Sequence, residues 1–469
     1  MIDSVPKLTY LHSVYMPFLR RIPLILAVVL TGLLPLQNVL VQLLVQRVGL
    51  PAAVSLWKEG VAALLLVLLE GRIIWLNRQS KTKNFWSIAW PQVLAFSLIG
   101  LAVGQSLGRV TATSLAFGFR FELWFVLVLA IVLSWLQIEH LEAVRKVSRR
   151  IRQAVVYGFF LVALLSVGIL LFGEGFLQSL GFGASTSEVI TTSPLVNVID
   201  GGGWNNFPRL GGGFSTPNHF AAYLLLSLPI FLQVSSRRLR WGLVGTAVVF
   251  IALSYARFAW LGLVFFALAY LRQKTTRAFW KRIWLGVTLF PVGLALFATL
   301  TPNLAEYEFL PTFLRKPSSS SLHHRHTMAS LEVIQRSSPE ILAFGYGLGS
   351  SGPASRYFDL DENPLHLRFN EVSYKWFLFE PDITIPENWY LQLILNGGLI
   401  YALGYIFLVA YPAYLFRDQP YVQAAYLALL LGNFLLHIFE NQTVALYYSL
   451  LLVAAYPRLY KKQTLALAK

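Results

Sequence analysis

Apolar residues occupy the chain in long blocks that are separated by shorter polar stretches. Twelve of these blocks approach the roughly 17–25 residues that a helix needs to cross about 30 Å of hydrocarbon. They are residues 22–46, 54–74, 88–107, 114–136, 154–173, 217–234, 240–256, 258–271, 283–300, 387–415, 421–438 and 444–457. The pattern predicts an all-α integral membrane protein with about 12 transmembrane helices.

Two long segments interrupt the apolar blocks, at residues 174–216 and 301–386. The second is too long to be a simple connection. Apolar positions at every third residue from Met328 predict a short helix near 326–337. The predicted organisation is a first membrane region, a large and partly helical extracytoplasmic loop, and a last membrane region, over residues 1–300, 301–386 and 387–469.

Composition supports the membrane assignment, since 56% of the residues are hydrophobic and 13% are charged, against about 25% charged in soluble proteins. The net charge of +16 does not indicate nucleic acid, because Lys and Arg in membrane-protein loops set orientation. The terminal tails and alternate connections hold 25 of the 38 Lys and Arg. This asymmetry predicts that both termini are cytoplasmic and that the two long segments face outward. With no cysteine, disulfides and thiolate chemistry are excluded.

Glycine and arginine accumulate just before the sixth block, in the sequence FPRLGGGFSTPNHF. Pro217 is expected in the first turn of a helix, with Ser215 or Thr216 as its cap. The positive end of that helix then faces outward. The three glycines let the backbone approach a ligand closely, and Arg209 adds a cation, so a phosphate group would suit this place. The alternative is a glycine-rich turn with a snorkelling arginine.

Three other outward stretches carry polar chemistry. Arg257 lies at the outer end of the seventh block, where it either anchors a helix end or joins Arg209 on one face. Residues 322–326 read LHHRH and, without an acidic partner at ligand spacing, predict a solvated basic loop rather than a metal site; Arg325 is their functional candidate. Residues 345–352 read GYGLGSSG, and because no strand precedes them we expect a tight turn shaped by glycine, not a dinucleotide site.

Acidic and basic residues also occur at the ends of apolar blocks. Pro386 is expected to open a helix with Glu387 in its first turn, where the helix dipole favours a carboxylate that could accept a proton. Compensation of the helix dipole is the alternative role. Charged residues within or near the blocks are expected to be paired or functional; they are Lys58, Glu59, Arg120 and Glu122.

Four motifs, in this order, resemble the O-antigen ligase and polymerase superfamily over about residues 205–400. They are RLGGGFSTPNHFAAYL, SYARFAWLGL, RHTMASLEVIQRSSPEILAFGYGLG and ENWYLQLILNGGL. The resemblance implies a glycosyltransferase of the C-type membrane fold that needs neither metal nor cofactor. It implies transfer of a glycan from undecaprenyl diphosphate to a hydroxyl of a lipid or glycan acceptor, at the outer face of the cytoplasmic membrane.

The resemblance also implies roles for individual residues. Arg209 and Arg257 would hold the diphosphate, and Glu387 stands where the family has a histidine that acts as the base. Because this departure leaves the base open, His326 and His323 are possible substitutes. The substrate-binding candidates are Arg325, Asn218, Asn388, His326 and Arg120.

Several functions are compatible with these outward-facing motifs. Ligase-type transfer of a preformed polysaccharide is the first expectation, and a polymerase that joins lipid-linked repeat units would use the same site. A protein O-oligosaccharyltransferase is a third possibility. A transporter is the alternative from another class, but it would be expected to have related halves and charged groups at the membrane midplane.

Overall fold

Helices make up almost all of the regular structure, as the apolar blocks predict. The computed structural model describes residues 22–79, 85–182, 195–196, 209–214, 216–274, 317–357, 364–373, 386, 388–434 and 436–467. The helices in these ranges are α1 (Ile22–Arg47), α2 (Trp57–Gln79), α3 (Phe85–Ser106), α4 (Ala112–Ile138), α5 (Leu141–Ser179), α6 (Pro217–Phe231), α7 (Arg237–Ser254), α8 (Arg257–Lys274), α9 (Pro317–Arg336), α10 (Pro339–Phe344), α11 (Pro364–Ser373), α12 (Trp389–Leu415), α13 (Pro420–Gly432) and α14 (Gln442–Leu467).

Five described helices are long and apolar enough to cross a membrane. They are α1, α2 together with the 3₁₀ turn Ala52–Leu56 before it, α4, α5 as far as Gly173, and α12. The chain is therefore an all-α, multi-pass membrane protein. Helices also lie in the third, sixth, seventh, eighth and twelfth apolar blocks, whereas the ninth block, residues 283–300, lies outside the described residues. The eleventh block was predicted to extend to residue 438, but its helix ends at Gly432.

A two-stranded antiparallel ladder interrupts the helices within segment 174–216. Strand β1 (Leu195–Val196) pairs with β2 (Arg209–Leu210), with Val196 opposite Arg209. The ladder fixes the backbone that leads from Arg209 into the glycines before α6.

The centre of the molecule is formed by α4, α6 and α14. The apolar stretch of α4 is 78% buried, whereas that of α2 is 28% buried, so α2 lies at the periphery. In α6, 13 of 15 residues are buried, and such burial on every side is typical of a helix surrounded by protein. The N-terminus that the sequence predicts as an anion site is thus the N-terminus of α6, a helix at the centre of the protein.

The described part of loop 301–386 contains α9, α10, α11 and the 3₁₀ turn Pro353–Tyr357; α9 and α10 pack on α12, and α11 packs on α9. Their shared apolar core consists of Ala329, Val333, Tyr346, Leu365, Val372 and Leu395. The predicted helix near 326–337 is confirmed, but it begins at Pro317, so the expectation of a loop at residues 322–326 was wrong. Leu331, expected on the apolar face, is 36% exposed, because Ala329 and Val333 form the buried stripe instead.

Candidate functional site

Helix α6 begins as the sequence predicts. Thr216 is its N-cap, Pro217 occupies the first turn, and the Thr216 hydroxyl accepts from the backbone N–H of His219 at 3.2 Å. The backbone N–H of Phe220 donates to the Thr216 carbonyl at 3.2 Å. That last bond is the first ordinary bond of the helix, but the His219 N–H is taken by the cap and Pro217 has no N–H, so less of the helix end is left for an anion than the bare motif indicates.

The glycines before α6 have a packing role. Gly212 and Gly213 both have positive φ, 54° and 88°, which side chains rarely adopt. A Cβ on Gly212 would meet the ring of Phe220, and one on Gly213 would lie 2.6 Å from a methyl of Leu165. Side chains of the protein, rather than a ligand, therefore fill the space at these two positions. Arg209 belongs to β2 by its backbone; its side chain lies outside what the structure describes.

A strained turn delivers Arg257 to the start of α8. Tyr255 has a φ of 51°, and no other described residue except glycine has a positive φ. The buried hydroxyl of Ser254 accepts from the Ala256 backbone N–H at 3.3 Å and so holds this turn. Arg257 follows as the first helical residue, with an exposed side chain.

Helix α12 begins at Trp389, and the expected start at Pro386 was wrong. The reason is Asn388, whose side-chain oxygen accepts from the backbone N–H groups of Tyr390 and Leu391 at 3.0 and 3.2 Å and thereby caps the helix. Its amide nitrogen donates to the Phe434 carbonyl at 3.0 Å. Asn388 is thus a buried helix cap, and Glu387, outside the described residues, precedes the cap rather than lying in the first turn.

The end of α13 at Gly432 and the connection between α13 and α14, residues 433–441 without Leu435, bring these helix starts together. The connection meets α12 through Asn388 and through Trp389, whose backbone N–H donates to the Asn433 carbonyl at 3.1 Å. It meets α6 where the side-chain amide of Asn441 lies 3.1 Å from His219 Nδ1. Just before the connection, α13 meets α8 at Gly432, where a Cβ would be 2.7 Å from the ring of Phe258, the neighbour of Arg257.

Side chains of this connection also hold its own shape. The buried Asn433 accepts from the backbone N–H groups of Ile438 and Phe439 at 3.0 and 3.3 Å. Phe439 packs against Trp389 and Phe125, with ring centroids 5.2 and 5.0 Å apart. The α13–α14 connection is therefore a fixed part of the core, although sequence reasoning assigned it no role.

An acid–histidine pair lies within the α13–α14 connection. His437 Nδ1 is 3.2 Å from Glu440 Oε1, and the two side chains are 9% and 10% exposed. Sequence reasoning missed both residues. The signal that could have found them is the combination of histidine, glutamate and asparagine in HIFEN, which begins at the end of the eleventh apolar block, where charged residues are usually paired or functional.

Arg120 reaches this region through a widened turn of α4. Residues Phe119–Leu123 form a π-helical turn, in which the N–H of Trp124 donates to the carbonyl of Phe119. Such turns free backbone carbonyls and are frequent at functional sites. Gln442 donates to the Arg120 carbonyl at 3.0 Å, and Tyr405 donates to the Glu122 carbonyl at 2.7 Å, so side chains of α14 and α12 satisfy this turn.

The side chains of Arg120 and Glu122 engage different helices. Arg120 donates twice to Glu59 Oε1, at 2.7 and 3.1 Å, and Lys58 lies 3.5 Å from the same oxygen. Glu122, 3% exposed, accepts from Asn396 and from Tyr401, both at 2.7 Å. The expectation that these charged residues are paired is confirmed for the triad, while Glu122 is held by uncharged donors.

The glycine-rich residues 345–352 form the turn that the sequence predicts. A kink at Gly398 interrupts α12, and the backbone N–H groups of Tyr346 and Gly347 donate to the carbonyls of Leu395 and Asn396 at 2.7 and 3.0 Å. The Asn396 side chain accepts from Ser351 N at 2.8 Å. The turn thus supplies the donors that the kinked helix lacks and connects to Glu122 through Asn396.

The remaining candidates lie in α6 and α9. Asn218 is in the first turn of α6. Arg325 and His326 are in α9, and Arg325 lies one turn before the buried Ala329, hence on the same side of α9. His323 also belongs to α9 by its backbone. In the described part of the chain, the starts of α6 and α12 contact the α13–α14 connection, while the start of α8 contacts the end of α13 and the bulge of α4 contacts the start of α14. No protein-family model matches the chain, and neither does any curated protein.

Proposed function

We propose that this protein is a glycosyltransferase that moves a glycan from an undecaprenyl-diphosphate carrier to an acceptor hydroxyl at the outer face of the cytoplasmic membrane. The observation that carries the proposal is the convergence of three helix starts on the end of α13 and the connection that follows it. The motifs that resemble the O-antigen ligase and polymerase superfamily are distant in sequence, and Phe258, His219 and Asn388 all contact residues 432–441. Motifs that share a site are expected to meet in this way.

Arg209 and Arg257 hold the diphosphate in this proposal. The leaving diphosphate gains negative charge as the glycosidic bond breaks, so cations fixed beside it stabilise the transition state more than the ground state. Arg325, Asn218, His326, Asn388 and Arg120 support substrate binding. Asn388 does so through the backbone it caps, because its side chain is already engaged.

The test is transfer by purified protein from a lipid-linked glycan. Arg209→Ala and Arg257→Ala should each lower the rate on the order of 10²–10³-fold without loss of folded protein. Arg209→Lys should restore only part of the rate, because an ammonium group does not reproduce the guanidinium fork. The matched control is Arg368→Ala, in α11, whose guanidinium pairs with Glu371 at 3.0 Å. Parent-level rates in both arginine variants would contradict the proposal.

Two further measurements separate related functions. A ligase should use a lipid-core acceptor, whereas a polymerase should extend a second lipid-linked repeat unit. Transfer is also expected to proceed in a chelator, because the proposed stabilisation rests on arginines. Activity that is lost in chelator and restored by magnesium or manganese would indicate a metal-dependent reaction instead.

A further inference from the structure

We propose that a basic face at the start of α5 binds the headgroups of anionic phospholipids, at the membrane surface that is predicted to be cytoplasmic. The basic face consists of Arg145, Lys146, Arg149 and Arg150. It lies near the C-terminal end of α6, because α5 contacts the turn that follows that helix. The inference is therefore independent of the proposed glycosyl transfer, which concerns the opposite end of α6.

Helix α5 is longer than a membrane crossing requires. The part of α5 that could cross a membrane has 33 residues, from Leu141 to Gly173, or about 50 Å at 1.5 Å per residue. About 20 apolar residues are enough to cross the hydrocarbon, and the apolar block at residues 154–173 supplies them. Residues 141–153, which read LEAVRKVSRRIRQ, therefore extend the helix by about 20 Å, so its basic residues begin at the headgroup layer.

The basic residues of this extension share one side of α5. Arg145 and Arg149 are four residues apart and are therefore neighbours on the helix surface. Lys146 and Arg150 form a second such column beside them, and all four side chains are exposed. In the part of the chain that the structure describes, none of the four forms an ion pair, and Arg150 donates to the side-chain oxygen of Gln153 at 3.5 Å. Like charges at this spacing repel one another, and a bound anion would relieve the repulsion.

The opposite side of the extension is fixed to α14. Val144, Ser148 and Ile151 are at most 1% exposed, and the Ser148 hydroxyl donates to the Ala454 carbonyl at 2.8 Å. The orientation of the basic face is thus set by packing between helices. A cluster of cations that is already held in place loses little conformational freedom when a headgroup binds.

A second group of cations lies beside the basic face. Arg152 of α5 donates to the side-chain oxygen of Gln233 at 3.1 Å, so the turn between α6 and α7 lies against the extension. The first turn of α7 carries Arg237 and Arg238, both exposed, and no acidic residue. The helix dipole disfavours cations at this end, whereas a phosphate there would be held by the two side chains and by the dipole together.

A lipid headgroup suits this place better than a soluble anion. The extension leads directly into the apolar block, so its cations lie at the depth where headgroup phosphates are found. Clusters of about four to eight Lys and Arg next to a membrane-spanning helix attract anionic lipid. Arginine also matches phosphate oxygens with two parallel hydrogen bonds.

The experiment titrates purified protein in an uncharged detergent with phosphatidylglycerol or phosphatidylcholine, and native mass spectrometry counts the bound lipids. The parent should bind phosphatidylglycerol more tightly than phosphatidylcholine, and added salt should weaken this preference. Arg145→Gln with Arg149→Gln should weaken phosphatidylglycerol binding by about 10–30-fold and leave phosphatidylcholine binding unchanged. Glutamine is a good helix former, so the double variant should keep the Tm of the parent.

The matched control is Arg78→Gln with Arg417→Gln, which removes the same charge from exposed side chains near the ends of α2 and α12. Arg72 of α2 binds Glu139 just before α5, so Arg78 lies at the same end of the molecule as the basic face. This control variant should bind phosphatidylglycerol as the parent does. An equal loss in both double variants would assign the effect to net charge and overturn the inference.

Two other outcomes would also overturn it. One is equal affinity of the parent for the two lipids. The other is binding of polyglutamate without a preference for phosphatidylglycerol, which would identify the basic face as a site for an acidic protein. If the first double variant does not fold, Lys146→Gln with Arg150→Gln takes its place and is judged by the same measurements.

Discussion

Glu122 shows at the level of one residue how a carboxyl group is accommodated in the core. Its two side-chain oxygens accept from Asn396 and Tyr401, and its carbonyl accepts from Tyr405. Glu122→Ala would leave Asn396 and Tyr401 buried without this acceptor. At about 1–3 kcal/mol for each such group, the free energy of unfolding in detergent should fall by about 2–6 kcal/mol.

The matched control is Glu371→Ala, which removes a carboxylate that is 51% exposed and paired with Arg368 on α11. Its effect on unfolding should be small, because exposed ion pairs contribute little. Equal stability of the Glu122→Ala and parent proteins would show that Asn396 and Tyr401 find other hydrogen-bond partners when the Glu122 carboxyl group is removed.

Glu139, in the short connection between α4 and α5, should make stability depend on pH. Burial tends to raise the pKa of this carboxyl, but hydrogen bonds from Arg72, the His140 backbone N–H and Trp135, together with the Arg72 charge, hold its pKa below the ordinary value of 4.5. The stabilisation is then fully present above that value and is lost as pH falls through the lowered pKa.

Glu139→Gln tests this dependence. At pH 7 the variant should have a lower Tm than the parent, because two hydrogen bonds from Arg72, at 2.9 and 3.1 Å, lose their charged acceptor. The difference should shrink as pH falls below 4.5. A Tm difference between parent and variant that stays constant from pH 7 to pH 3 would show that the effect comes from the shape of the side chain and not from the charge of Glu139.

At the level of elements, the contact between α10 and the kink of α12 depends on two facing glycines. A Cβ on Gly398 would meet the carbonyl of Ala343, and a Cβ on Gly345 would lie 2.6 Å from the Asn396 backbone. Both glycines also have positive φ. Gly398→Ala and Gly345→Ala should each destabilise the protein by more than about 1 kcal/mol, as measured by Tm.

Gly100→Ala is the control for these substitutions. Gly100 lies in α3 with no heavy atom near its added Cβ, and Ala is about 1 kcal/mol better than Gly within a helix. This variant should keep or raise the Tm. An equal fall in Tm in all three variants would contradict the role of the close backbone approach between α10 and α12.

The starts of two helices show which parts of the site the sequence could predict. Thr216 and Pro217 are a local signal, so the start of α6 follows from neighbouring residues. At α12 the proline predicted a helix start at Pro386. The cap is instead Asn388, whose side-chain amide donates to the carbonyl of Phe434, just beyond the end of α13. The His437–Glu440 pair was missed because the apolar pattern extended the eleventh block to residue 438, whereas the helix ends at Gly432.

At the level of the whole molecule, the charge asymmetry predicts twelve spans with both termini inside. Because the chain has no cysteine, a single introduced cysteine is the only thiol that can be labelled, and its labelling shows which side of the membrane it faces. Leu367→Cys, at a residue in α11 that is 51% exposed, should react with an impermeant maleimide in intact cells. Glu142→Cys, at the exposed start of α5, should react only after permeabilisation. The opposite labelling pattern would show that the orientation is the reverse of the predicted one, so that the proposed site could not lie at the outer face.

The α13–α14 connection has a consequence for the order in which the protein matures. The starts of α6, α8 and α12 are all synthesised before residues 432–441, and each of them contacts that stretch. A nascent chain that ends before Gly432 therefore lacks these contacts, so the three helix starts gain their shared support when residues 432–441 have been made.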